Sequence, residues 1–246
     1  MNGRVAALAV AAAVLAGPTT GAARAQTCPA VIEHATRLAL VTANGMQTSA
    51  ATLALYSREN RTAPWRQLSK AEPVRLGEHG MAWGAGFMQL ARRGEPVKRE
   101  SDWRTPAGIY KIGAPFGFGP SKRAGYVQLK AGETICVDDL RSPAYNTITT
   151  IVQVGPGVHG EHMRDFPEYR RGLFIDYPSN YANRADSCIF IHVWNAPSET
   201  TAGCISLPEA RVAALQDFAA PGAVIAILPR GAFERLASCL PDAGQR

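Results

Sequence analysis

The stretch SCIFIHVW, residues 187–194, decides how the rest of the chain is interpreted. Its side chains alternate between two faces, and one face carries Cys188, Phe190, His192 and Trp194. The β-branched residues between them share the other face, as expected for a β-strand. The pattern therefore predicts a well-held strand that carries His192.

Short apolar or alternating segments recur along the rest of the chain, between turns that are rich in glycine and proline. Short strands at this spacing are typical of all-β barrels and sandwiches. The sequence thus predicts a mainly β fold, a sandwich or barrel, with a helix after Cys204. The predicted strands are residues 37–43, 51–57, 65–68, 108–112, 126–129, 148–154, 172–177, 187–194 and 223–228.

Helical signals follow Cys204. Ser206 and Glu209 have the spacing of a capping box, and Pro208 is tolerated in a first helical turn. We therefore expect a helix that begins immediately after Cys204. Residues 31–40 fit either a second helix or the entry to a strand. The apolar face of the predicted helix consists of Leu207, Val212, Leu215 and Phe218.

The first 25 residues have the organisation of a secretory signal peptide, with a basic start at Arg4, an apolar run over residues 5–17 and Ala-Arg-Ala at 23–25. The apolar run of 13 residues is shorter than the roughly 20 that a membrane-spanning helix needs. We expect cleavage after Ala25, export, and no membrane span in the mature protein. Residues 26–246 are long enough for one domain and do not require two.

The net charge of the chain and the distribution of its basic residues argue against nucleic acid as a partner. The formal net charge of +6 falls to +4 when residues 1–25 are removed, because they contain two arginines and no acidic residue. A mildly basic surface suits an anionic envelope polymer, whereas no basic cluster with interleaved aromatic residues indicates nucleic acid. Residues 77–105, which include Arg92-Arg93 and Lys98-Arg99, are interpreted as a solvated surface loop.

All five cysteines lie beyond residue 25, in a protein expected to fold where thiols are oxidised. An odd number leaves one thiol unpaired unless it bridges to another molecule. Cys204 is the candidate, because His192 and the predicted helix could both lower its pKa. Gly203 permits a tight turn and the close approach of a substrate carbonyl. From spacing alone, a cysteine such as Cys204 is more often part of a disulfide, and a histidine such as His192 is more often a packed core or surface residue.

Residues 188–194 and 201–206 together resemble the catalytic motif of the L,D-transpeptidase (YkuD-type) family, in which a histidine precedes a [Ser/Thr]-x-Gly-Cys element. Residues 98–108, KRESDWRTPAG, look like the family element that leads into a core strand. Residues 136–146 resemble a segment of a Gram-negative, exported branch of that family. The resemblance covers about residues 75–228 and implies an L,D-transpeptidase-like β-sandwich or barrel.

The resemblance also implies a reaction. Cys204 would attack the carbonyl between the third and fourth residues of a peptidoglycan stem tetrapeptide, which releases D-alanine and leaves a thioester. His192 would be the general base and acid, and the backbone at Ala202 and Gly203 would support the oxyanion. An incoming amine gives a 3→3 cross-link, and water gives L,D-carboxypeptidase activity. The resemblance requires no metal or organic cofactor and places the protein in the periplasm or cell envelope; the oligomeric state stays open.

Some residues depart from the family pattern. Many members carry histidine where this chain has Ala202, and a polar or basic residue where it has Ser206. The interval between His192 and Cys204 is also shorter than usual. The departures at Ala202 and Ser206 leave room for a non-catalytic wall-binding protein that retains the fold.

If Cys204 is free, the other four cysteines allow three pairings. Cys136 with Cys188 is one expectation, since both lie in the segments that resemble the family. Cys28 with Cys239 would then join the two ends of the chain.

The fragment His159-Gly160-Glu161-His162, with His192 as a third ligand, suggests a different chemistry. Such residues could hold Zn²⁺ in an envelope peptidase or amidase. The fragment lacks the helical H-E-x-x-H arrangement, so a polar loop near the site is the simpler interpretation.

Overall fold

The computed structural model describes residues 28–180, 182–219 and 222–241. The predicted signal peptide, residues 1–25, lies outside these ranges. Within them, no helix is both long enough and apolar enough to cross a membrane.

The described chain is mainly β, as the sequence predicts. Its helices are α1 (Ala30–Glu33), α2 (Ile151–Val154) and α3 (Glu209–Phe218), with short 3-10 turns elsewhere. The strands are β1 (Arg37–Ala43), β2 (Ala50–Ser57), β3 (Arg66–Gln67), β4 (Glu72–Arg75), β5 (Met81–Trp83), β6 (Thr105–Gly117), β7 (Val127–Gln128), β8 (Thr134–Val137), β9 (Ile148–Thr150), β10 (Gly160–His162), β11 (Arg171–Asp176), β12 (Phe190–Val193), β13 (Ile205–Leu207) and β14 (Val224–Pro229).

The main sheet closes on itself. Its strands follow the order β1-β14-β6-β11-β12-β13-β4-β2, and an antiparallel pairing of β1 with β2 completes the ring. Closure pairs the backbone groups that an open sheet would leave exposed at its edges. β3, β5 and β7 attach to this barrel, and a separate three-stranded sheet has the order β10-β8-β9.

The apolar strands supply the core of the barrel. Every residue of β14 is buried, and the strand lies in the middle of the sheet between β1 and β6. A second, smaller apolar cluster lies outside the main core and includes Phe116, Tyr169, Phe190 and Cys204. This cluster packs around the end of β12 that carries the candidate site.

The predicted helix after Cys204 forms, but two details of the prediction are wrong. Ser206 is not a helix cap, because it lies within β13, which pairs in parallel with β12. The helix α3 begins only at Glu209, with Pro208 as its N-cap. Pairing of β13 with β12 satisfies the backbone of this segment before a helix can begin.

Other predicted boundaries also change. The strand predicted over residues 148–154 is wrong in its second half, because Thr150 and Gln153 form a capping box that starts α2. The strand predicted over residues 187–194 shortens to β12, since Cys188 has a left-handed φ of 56°. Residues 31–40 contain both alternatives, the end of α1 and the start of β1.

Candidate active site

Cys204 and His192 line the same cleft, which has a volume of about 400 Å³. His192 lies within β12, and Cys204 directly precedes β13. Parallel pairing of the two strands places His192 opposite Ser206, two residues beyond Cys204. Strand pairing therefore brings the thiol and the imidazole to one cleft. Ala202 and Gly203 line it as well.

The Cys204 thiol is unpaired and only 8% exposed. Its Sγ accepts a hydrogen bond from the N–H of Phe190 at 3.3 Å and donates to the carbonyl oxygen of Cys188 at 3.4 Å. Burial raises the pKa of the thiol, and the negative charge of Glu161 raises it further. The helix expected to lower this pKa does not begin at Cys204, so that prediction is wrong. The thiol is neutral near pH 7.

His192 is 7% exposed, and its Nδ1 lies 2.9 Å from the carbonyl oxygen of Val193. Because a carbonyl oxygen can only accept, Nδ1 carries the proton and Nε2 is left as an acceptor. Burial lowers the pKa of His192, which keeps the ring neutral at neutral pH. The ring of Tyr169 packs edge-on against it, with the ring centroids 5.4 Å apart. His192 therefore has the protonation state of a base.

Hydrogen bonds hold the loop before Cys204. The hydroxyl of Thr201 donates to the Cys204 carbonyl oxygen at 2.6 Å, and the Thr105 hydroxyl donates to the same oxygen at 3.2 Å. The Gly203 N–H donates to Thr201 Oγ1 at 3.2 Å, so an oxyanion would have to share this donor. Gly203 has a φ of 153°, and a Cβ there would lie 3.3 Å from the carbonyl oxygen of Arg104.

An ion-pair network centred on the buried Lys98 lies next to the loop that precedes Cys204. Lys98 is 2% exposed and contacts the carboxylates of both Asp102 and Asp186. Asp186 lines the cleft beside Gly203, where an added Cβ would meet its Oδ2 at 3.4 Å. The interpretation of Lys98 as part of a solvated loop is wrong, because two carboxylates compensate its buried charge.

Both predicted disulfides are present, Cys136–Cys188 and Cys28–Cys239. The first one adjoins the site. The N–H of Cys188 donates to Asn146 Oδ1 at 3.0 Å, and the carbonyl of Cys188 accepts from the Cys204 thiol. The disulfide and Asn146 thus fix the group that orients the thiol.

The histidines and the glutamate that were considered as zinc ligands do not point to a common centre. His159 Nδ1 contacts Asp138 Oδ1, and His162 is exposed. Glu161 lies between them on β10 and lines the cleft. Neighbouring strand positions point to opposite faces, so Glu161 and His162 do not converge. Residues 28–180, 182–219 and 222–241 contain no group of three potential ligands arranged to hold a metal.

The sequence did not indicate the charge of the cleft. Among the described residues that line it there is no lysine or arginine. The acidic residues that line it come from distant segments, so no local motif announces them. They are Glu100, Asp138, Glu161, Glu168, Asp186 and Glu199.

A neutral thiol and a neutral imidazole, which line one cleft on a closed β-barrel, are a nucleophile and a base of the kinds that thiol-based acyl transfer uses. The family model of the L,D-transpeptidase catalytic domain (YkuD) matches residues 48–227, which begins earlier than the motif core expected at 75–228. The chain belongs to this family, and membership implies an enzyme that acts on peptidoglycan. No curated protein and no solved structure matched the chain.

Proposed function

We propose that this chain is a cysteine-dependent L,D-transpeptidase that forms 3→3 cross-links between peptidoglycan stem peptides through a thioester. One observation carries the proposal: the unpaired thiol of Cys204 lies in the same cleft as a neutral His192. The family match supports the substrate class.

In the acylation step, Cys204 Sγ attacks the carbonyl carbon between the third and fourth residues of the donor stem. Nε2 of His192 takes the thiol proton as the C–S bond forms. Burial raises the pKa of the thiol and lowers that of the imidazole, so transfer is coupled to attack rather than completed before it. The N–H of Phe190, which donates to Sγ, stabilises the developing thiolate.

Collapse of the tetrahedral intermediate breaks the C–N bond, and the His192 imidazolium gives its proton to the departing D-alanine amine. Backbone N–H groups near Ala202 and Gly203 would stabilise the oxyanion. An amine from a second stem then resolves the thioester. Resolution by water would make the protein an L,D-carboxypeptidase instead.

Intact-mass measurement after incubation with a tetrapeptide stem tests the proposal. We expect an adduct of the donor minus D-alanine, which maps to Cys204 and is absent from Cys204→Ala. An adduct at another residue, or equal remodelling of purified sacculi by Cys204→Ala, would contradict it. A 3→3 dimer identifies transpeptidation, whereas tripeptide alone identifies the carboxypeptidase.

Two inhibitors address the zinc hypothesis. We expect a thiol alkylator to abolish adduct formation and EDTA to leave it intact. Inactivation by EDTA together with resistance to the alkylator would favour a zinc enzyme.

The proposed location is the periplasm or cell envelope. The two disulfides fit an exported protein, because such bonds persist in oxidising compartments. The mass of the protein purified from the envelope should correspond to cleavage after Ala25. An intact N-terminus would contradict the predicted signal peptide.

A further inference from the structure

Glu161 is a partly buried carboxyl group that the proposed mechanism leaves unused. It lies on β10 opposite Cys136, the disulfide partner of Cys188. The hydroxyl of Tyr169 donates to Glu161 Oε2 at 3.0 Å, and the same tyrosine ring packs against His192. Glu161 is therefore connected to His192 through Tyr169, and to Cys204 through the disulfide partner of Cys188.

The electrostatic surroundings of Glu161 oppose its ionisation. Burial raises its pKa to about 7 against the opposing effect of the hydrogen bond from Tyr169, and the neighbouring charges of Asp138, Glu168 and Glu100 add to the increase. No lysine or arginine is among the described lining residues. Asp138 contacts His159 and Asp186 contacts Lys98, whereas Glu100, Glu161 and Glu168 form no ion pair within the described part of the chain. A cationic ligand would supply the missing compensation.

A second polar group in the cleft also lacks a partner. Ser206 is 2% exposed and lines the cleft, and its hydroxyl makes no hydrogen bond. Ser206 pairs in register with His192 on the neighbouring strand. Buried hydroxyl groups are normally satisfied, so this one indicates a ligand that brings hydrogen-bonding groups into the cleft.

We propose that Glu161 determines acceptor specificity by binding the ammonium group of the amine that resolves the thioester. This inference rests on the proposed transpeptidation. Glu161 then favours an acceptor that carries an ammonium at the reacting nitrogen over a neutral nucleophile such as water or hydroxylamine.

The proton balance follows from the groups present. The acceptor ammonium gives one proton to the Glu161 carboxylate and becomes a nucleophilic amine. Its nitrogen attacks the thioester carbonyl carbon, the C–N bond forms, and the C–S bond breaks. His192 takes a second proton from nitrogen and returns it to the Cys204 thiolate, while the third stays on the new amide. Protonated Glu161 then releases its proton to solvent.

The test separates acylation from resolution of the thioester. A tetrapeptide donor forms the acyl-enzyme, and its fate is measured with glycinamide, whose α-amino group is mostly an ammonium at pH 7. Hydroxylamine, which is mostly neutral at that pH, serves as the second nucleophile. The variants are Glu161→Gln, which can still accept from Tyr169, and Glu133→Gln as the matched control. The Glu133 side chain lies outside the cleft and is 41% exposed.

In Glu161→Gln we expect acylation that is no slower than in the parent, because loss of the charge lowers the pKa of Cys204. The ratio of glycinamide transfer to hydrolysis should fall about tenfold or more, as expected for loss of a charge-assisted hydrogen bond. The hydroxylamine ratio should change less than about twofold, and Glu133→Gln should match the parent.

Three outcomes would overturn the inference: an unchanged glycinamide ratio, an equal loss with both nucleophiles, or slower acylation in Glu161→Gln. The last two would indicate a merely structural role. Failure of the parent protein to acylate would instead refute the proposed function itself, so the two failures are distinguishable.

Discussion

The ionisation of Glu161 should reduce the stability of the fold, and Glu161→Gln should remove that cost. Burial raises its pKa to about 7 in the folded chain from an ordinary value of 4.5. Below pH 4.5 the carboxyl is protonated in both the folded and the unfolded states. Between pH 4.5 and about 7 the unfolded state releases its proton while the folded state still holds it. The stability that the protonated carboxyl contributes therefore falls over this range and is lost once the pH has risen through 7.

The size of the effect follows from the two pKa values. The interval from 4.5 to about 7, at roughly 1.4 kcal/mol per pKa unit, gives about 3.5 kcal/mol as an upper value. Glu161→Gln should therefore equal the parent near pH 4 and exceed its free energy of unfolding by up to about 3.5 kcal/mol at pH 8. The hydrogen bond from Tyr169 favours the ionised carboxylate, and its effect is already contained in the raised pKa of about 7.

Urea unfolding of the disulfide-intact proteins at several pH values measures this difference. Glu133→Gln is the control and should follow the parent at every pH. A difference between Glu161→Gln and the parent that stays constant with pH would refute the reasoning, and so would a variant that is less stable at pH 8. The expected result would mean that the chain retains a destabilising charge at its cleft, as functional sites commonly do.

Other predictions concern the support of the site. Lys98→Met should cost about 3–5 kcal/mol of unfolding free energy, because it leaves the buried carboxylate of Asp186 and the partly buried carboxylate of Asp102 without their shared cation. Lys130→Met, in an exposed pair, should cost less than about 1 kcal/mol, and urea unfolding compares the two. Gly203→Ala should lower the thermal midpoint and slow acylation by at least about tenfold, because it strains a φ of 153° beside the nucleophile; a rate equal to the parent's would contradict this. Alkylation of Cys204 should accelerate continuously from pH 6 to 9, because burial raises the thiol pKa, and a plateau near pH 7 would indicate a preformed thiolate. Thiol titration in denaturant should find one thiol before reduction and five after it.

Much of the fold could be predicted from local patterns. The strand predicted over residues 37–43 is β1 to the residue, because its apolar run is bounded by turn signals. Residues 148–154 were misassigned because apolar character alone does not separate a strand from a short helix. The capping box formed by Thr150 and Gln153 makes the second half of this segment a helix, and its residues are visible in the sequence.

The candidate dyad was also within reach of the sequence. The odd number of cysteines indicated an unpaired thiol, and the family-like motif selected Cys204. The expected activation by a helix end was wrong, because Ser206 pairs with the neighbouring strand and delays the helix to Glu209. A capping box and a strand end are indistinguishable until the partner strand is known.

The sequence by itself determined the mainly β fold, the unpaired thiol and the family, since strand periodicity, cysteine number and a contiguous motif are local properties. Tertiary structure alone decided the chemistry around the thiol. The raised pKa of Cys204 and the acidic cleft depend on burial and on carboxylates as far apart in the chain as Glu100 and Glu199. Desolvation and summed charge depend on distances in space, which only the folded chain fixes.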